Sequence, residues 1–137
     1  MTITAKPART ADSRIVALIG TGLAGTAVAG AATMAVAVAG RAAGVSLDVG
    51  GEPIPMPGFA VLTALCSVAG LVLAAVLSRT VRHPRRAFVR TTVALTVLSL
   101  VPDVIVQATP ATKALLMLTH LVAAAIVIPA VARRLSA

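Results

Sequence analysis

The chain has 137 residues, 58% of them hydrophobic and only 12% charged, with a mean hydropathy of +1.01. Soluble domains run nearer a quarter charged, so a fold in water is excluded for want of polar surface to cover it. The formal charge of +8 would suggest nucleic acid in a soluble protein, but there is no Trp or Tyr, and Phe59 and Phe88 are the only aromatics; the stacking platforms of a single-strand binder are missing, and no nucleic-acid partner is expected.

Residues 1–14 are polar and without periodicity, which predicts a disordered cytoplasmic tail. Residues 15–39 carry no charge. At about 1.5 Å per residue they exceed the roughly 30 Å hydrocarbon core, so a tilted spanning helix is predicted, with Arg41 snorkelling to the interface beyond it. Ala37-Val38-Ala39 before Gly40 resembles a signal-peptidase site. The apolar run is longer than the roughly 7–15 residues of a signal core, which favours a retained span and leaves cleavage as the alternative. Residues 44–58 hold Gly50-Gly51 and the alternating Pro53, Pro55 and Pro57, which rule out a regular helix. There Val45, Leu47 and Val49 alternate with polar residues, as a short extended piece ending in a turn would.

A second span is predicted at about 59–77 and is followed by a basic loop holding Arg79, Arg82, Arg85, Arg86 and Arg90. A third runs over 91–107. Pro110 stops it in a tight turn ending at Lys113, and a fourth covers 114–131, before Arg133 and Arg134. Ten of the twelve basic residues fall on one side of the bilayer in this scheme, with only Arg41 and Lys113 on the other. The positive-inside rule then places both termini and the basic loop in the cytoplasm. Arginine in that loop also suits contact with anionic lipid headgroups.

Small residues matter for packing, because lipid gives helices no hydrophobic reason to associate. The first span offers Thr21, Gly25, Ala29, Thr33 and Ala37 at four-residue spacing, beside Gly22, Thr26 and Gly30. The second offers Cys66, Gly70, Ala74 and Ser78. Both are expected to be packing surfaces. Cys66, being the only cysteine, excludes an intramolecular disulfide and a cysteine zinc site, and its expected role is that of a small residue within a helix.

The third span carries Thr92, Thr96, Ser99, Asp103 and Gln107 on one helical face. Such a stripe must turn away from lipid. Pro102 removes a backbone donor from the same helix and predicts a kink. Asp103 is the one carboxylate and His120 the one imidazole inside predicted spans. The tight turn makes their helices antiparallel neighbours, and helical rise puts both roughly 10 Å below its tip. Asp103, His120, Gln107 and Ser99 are therefore the candidate intramembrane polar site, either a proton-linked or ligand-binding site or an interhelical hydrogen bond that fixes register. No catalytic, metal or cofactor motif accompanies them.

Four stretches together resemble a family of small four-span actinobacterial membrane proteins defined only as a domain of unknown function. They are GRAAGVSLDV after the first span, LSRTVRHPRRAFV after the second, Ser99-Leu100 with the proline that follows in the third, and LTHLVAAAIVIPAVARR at the end. The resemblance implies an actinobacterial membrane protein and assigns no activity. His120 and Pro129 fall within the family-like pattern of the last helix, while Asp103 is not placed by it.

The expected fold is all-α: one four-helix transmembrane bundle over residues 15–134, N-in and C-in, in a bacterial plasma membrane. The expected function is that of a non-enzymatic structural or interaction protein, with membrane lipids, a second copy or another membrane protein as partner. The alternative is a small proton-coupled transporter or channel built on Asp103 and His120.

Overall fold

The structure is a computed structural model that describes residues 11–136. Four helices account for nearly all of it: α1 (Ala11–Ala42), α2 (Met56–Thr80), α3 (Pro84–Ile105) and α4 (Pro110–Ala132). Each is long and apolar enough to cross a membrane. Of the segment expected to be a disordered tail, residues 1–10 lie outside the described residues, and 11–14 form the start of α1.

The helices overrun the apolar stretches at most of their ends, since intrahelical hydrogen bonding does not stop where side chains become polar. Pro57, Pro84 and Pro110 each sit in the first turn of a helix, where a missing N–H costs nothing because that donor would be unpaired anyway. Thr109 caps α4, its side-chain oxygen accepting from the Thr112 backbone N–H at 3.2 Å. At the end of α3, the Lys113 ammonium donates to the Val104 carbonyl at 2.7 Å and satisfies an acceptor the helix leaves open.

α1 is the central packing element and lies chiefly against α2 and α4, while α3 lies chiefly against α4. Its small residues explain that. Gly22, Gly25, Ala29, Gly30, Thr33, Ala37 and Gly40 are all buried, so both rows predicted for this helix face neighbours. A Cβ on Gly22 would run into the Leu71 side chain of α2, and one on Gly40 into Leu115 of α4. Thr33 and Thr63 add a buried hydrogen bond of 3.1 Å between α1 and α2, and the Thr63 hydroxyl donates to the Phe59 carbonyl at 2.7 Å. Two apolar clusters complete the core. One, at the arginine-rich end, includes Leu18, Ala74, Phe88, Val127, Val131 and Leu135. The other, at the opposite end, joins Ala37, Leu47 and Phe59. Ala37 of the signal-peptidase-like triplet is thus a fully buried core residue in an unbroken helix.

The small row expected on α2 is a correction. Ala74 is buried, but Cys66 and Ser78 are exposed, and Gly70 has open space where its Cβ would be. α2 meets α1 through Ala60, Thr63 and Leu71 instead, and Cys66 and Gly70 line a groove described below.

The connector between α1 and α2 folds as a two-stranded antiparallel hairpin, β1 (Asp48–Val49) and β2 (Glu52–Pro53). Gly50 and Gly51 turn it with φ of 63° and 87°, the left-handed pair that a two-residue hairpin loop demands. The hairpin is tied down: the Gly50 N–H donates to the Gln107 carbonyl at 2.8 Å, and Thr112 donates to the Ser46 carbonyl. Leu47 plugs this end of the bundle.

Around this core the exterior is apolar. Leu62, Leu65, Val72, Leu98 and Ile105 are among many large hydrophobic side chains more than half exposed. An apolar coat of that extent has no place in water, and it matches the four apolar helices beneath it.

Candidate functional site

Because α1 lies against α2 and α4, and α4 against α3, the helices run in the order α2, α1, α4, α3 around the bundle. That order leaves a cleft between α2 and α3 floored by α4. It forms a cavity of about 500 Å³ lined from α2, α3 and α4, with Ile54 at the hairpin end. On α2 its lining runs from Phe59 to Leu73, which at the α-helical rise is about 21 Å, most of the roughly 30 Å hydrocarbon thickness. Leu62 and Leu95, 62% and 53% exposed, form part of the walls. The groove is therefore open sideways, toward where lipid would lie.

Its walls are apolar apart from a set of hydroxyls and one imidazole. Thr92, Thr96 and Ser99 of α3 line it, so the polar stripe turns inward. Each hydroxyl of that stripe donates to a carbonyl of its own helix: Thr92 to Phe88 at 2.7 Å, Thr96 to Thr92 at 2.8 Å and Ser99 to Thr96 at 2.7 Å. Back-bonding of this kind satisfies a hydroxyl hydrogen where water is scarce. From α4, Thr119 does the same with the Leu116 carbonyl at 2.7 Å, and His120 stands beside it.

His120 and Asp103 meet across α3 and α4. The imidazole Nδ1 is 3.0 Å from the Asp103 Oδ2 and 3.0 Å from the Leu116 carbonyl oxygen. The Asp103 side chain is 10% exposed and lies behind the groove wall, whereas the His120 side chain is 38% exposed and is part of that wall. Nδ1 can carry only one hydrogen, and its alignment favours the Leu116 carbonyl. Oδ2 is consequently a buried oxygen held at ion-pair distance but with no aligned hydrogen-bond donor among the described residues.

Of the four residues named for this site, three cluster on one side of the bundle: Asp103 behind the wall, with His120 and Ser99 on it. Gln107 stands apart. α3 ends at Ile105 and Val106 is extended, so the four-residue spacing that aligned Gln107 with Asp103 no longer applies. Its side chain is exposed, and its backbone carbonyl is the acceptor that anchors the hairpin. Thr63 and Ser67, which line the groove from α2, had no sequence signal beyond being hydroxyls in an apolar run.

The arginines sit at the other end. Arg79, Arg82, Arg85, Arg86 and Arg90 are all exposed, and no carboxylate among the described residues lies within ion-pair distance of them. Arg82, Arg86 and Arg90 flank a shallow hollow with His83. Their helical phase turns Arg86 and Arg90 to the side of α3 away from the groove. No group of three His, Cys, Asp or Glu side chains that could hold a metal occurs among the described residues.

Four spanning-length apolar helices and a lipid-like exterior define a multi-pass membrane protein. The chain belongs to a family of unknown function, DUF6069, whose pattern matches residues 13–137. No curated protein and no solved structure matches it.

Proposed function

We propose that the protein is a non-enzymatic binding protein of a bacterial, and by its resemblance actinobacterial, plasma membrane, and that the lateral groove between α2 and α3 receives the apolar part of a lipid-like ligand. The observation that carries this reading is the groove itself. Its volume of about 500 Å³ falls within the roughly 300–1,000 Å³ of ligand sites, and its long axis follows the helices, as a lipid chain does. The family has no activity attached to it, and the hydroxyls nearest the Asp103–His120 pair, those of Ser99 and Thr119, are each given to a backbone carbonyl of their own helix.

The charge split supports an orientation with both termini and the arginine end in the cytoplasm. Arg79, Arg82, Arg85, Arg86 and Arg90 then lie at the anionic leaflet surface, where each is worth about 1 kcal/mol of attraction. A second copy of the chain is the rival occupant of the groove.

The test is reconstitution with a phospholipid carrying a diazirine in its acyl chain, followed by detergent extraction and photolysis. Retained lipid is expected to label Leu62, Leu73 and Leu95 in preference to Val16 and Ile105, which lie outside the groove. Even labelling of all five, or peptide-to-peptide links through the groove, would overturn the proposal.

A second reading, a proton-coupled transporter, is favoured by the 3.0 Å approach of Asp103 to His120 at the groove wall. It requires proton-dependent flux in liposomes that Asp103→Asn abolishes.

A further inference from the structure

The arginines at the α2–α3 end of the bundle are not equivalent. Arg86 and Arg90 are four residues apart on α3 and share a helical face. Arg82, from the segment before that helix, joins them around one hollow with His83. Arg85 precedes Arg86 by one residue, which turns it about 100° round the helix, and Arg79 stands on α2. Three guanidinium groups thus border one place, with no carboxylate among the described residues within ion-pair distance. Like charges gathered in this way repel one another until an anion lies among them. The hollow is also where α3 begins. Its first turn holds no acidic residue, so the positive end of the helix dipole adds to the preference for negative charge.

What carries the anion follows from the rest of the face. Val93, Val97 and Val101 come three, seven and eleven residues after Arg90 and continue its side of the helix. All three are exposed, and none borders the groove. From Arg90 to Val101 is about 16 Å of helix, close to half of the roughly 30 Å hydrocarbon thickness. The face is laid out as a lipid of one leaflet is, with charge at the interface and an apolar strip about one chain long beneath it. A free phosphate would use only the arginines.

We propose that this outward face of α3 seats an anionic phospholipid, its phosphate among Arg82, Arg86 and Arg90 and an acyl chain along Val93, Val97 and Val101. The seat is on the opposite side of α3 from the groove and does not depend on what the groove holds. Net negative charge in the headgroup is the selective feature. A phosphate paired with its own ammonium, as in a choline lipid, brings no net charge to offset three guanidinium groups. α2 supplies the comparison: exposed Val72 lies seven residues from Arg79, as Val97 lies seven from Arg90, but Arg79 is the only arginine of that helix.

The chain has no Trp, so a single Trp on either face reports its own lipid neighbours. Val97→Trp and Val72→Trp, each in the full chain, are reconstituted in phosphatidylcholine liposomes with a minor fraction of phosphatidylglycerol. Quenching is then compared with bromine in the acyl chains of one lipid or the other. The preference for the anionic lipid is expected to be about fivefold greater at Val97→Trp than at Val72→Trp, the ratio that one further arginine at about 1 kcal/mol gives. Arg86→Gln with Arg90→Gln should bring the two reporters level. Arg79→Gln with Arg85→Gln, an equal loss of charge, should leave the Val97→Trp preference as it was, and excess inorganic phosphate should not release the lipid. Equal preference at the two reporters, or an equal fall at Val97→Trp with either pair of substitutions, would overturn the proposal. Release by inorganic phosphate would overturn it too, by showing that the hollow takes free phosphate. None of these outcomes bears on the groove.

Discussion

The Asp103 carboxyl and the His120 imidazole, on successive antiparallel helices, approach to 3.0 Å, although they lie at quite different distances from the ends of those helices. Asp103 is in the last turn of α3, about 3 Å from its end at Ile105, while His120 is about 15 Å into α4 from Pro110. The segment between, residues 106–109, makes up the difference: four non-helical residues can reach up to about 13 Å. The turn therefore sets the register of the pair, and the anchors of the turn hold it. These are the Gly50 N–H on the Gln107 carbonyl and the Lys113 ammonium on the Val104 carbonyl.

That arrangement predicts energetic coupling between the two side chains. Asp103→Ala and His120→Ala are each expected to destabilise the bundle by about 0.5–3 kcal/mol, since either removes the close approach of the two side chains between α3 and α4. The double substitution should cost less than the sum of the singles. Thermal unfolding in detergent, followed by circular dichroism, checks it. Strict additivity would show that the two side chains do not interact.

Two glycines at different places predict opposite tolerance. Gly22→Val places a branched side chain where Leu71 already lies, and overpacking of that kind costs about 1–3 kcal/mol. Gly70→Ala adds a methyl group where nothing lies within 4 Å, and no loss is expected. Equal melting losses for the two would mean that α1 does not approach α2 through Gly22.

Orientation is open to direct test in a Cys66→Ser background. Glu52→Cys and Arg82→Cys lie at opposite ends of the bundle, and both positions are exposed. A membrane-impermeant maleimide applied to intact cells should label the first at once and the second only after permeabilisation. The reverse pattern would invert the proposed topology.

What can be read from local chemistry was legible in the sequence. The four apolar runs became four spanning-length helices, because hydropathy over some twenty residues is a local property. Helical periodicity likewise put Thr92, Thr96, Ser99 and Asp103 on one face of α3, and that face turns inward. Periodicity failed at Gln107, where the helix had ended. The small row on α2 failed for a different reason. Cys66, Gly70 and Ser78 are as small as the residues of α1, yet size permits close approach without selecting the partner.

The sequence by itself thus determined the number of helices, their apolar nature and the pairing of α3 with α4 through a tight turn. Only the tertiary structure decided that α1 packs between α2 and α4, and that α2, α3 and α4 leave between them a groove lined by Ser67 of α2 and His120 of α4. The physical reason is that helix neighbours in a lipid environment are chosen by shape across the bundle. That complementarity is a property of two surfaces together, and no single stretch of chain contains it.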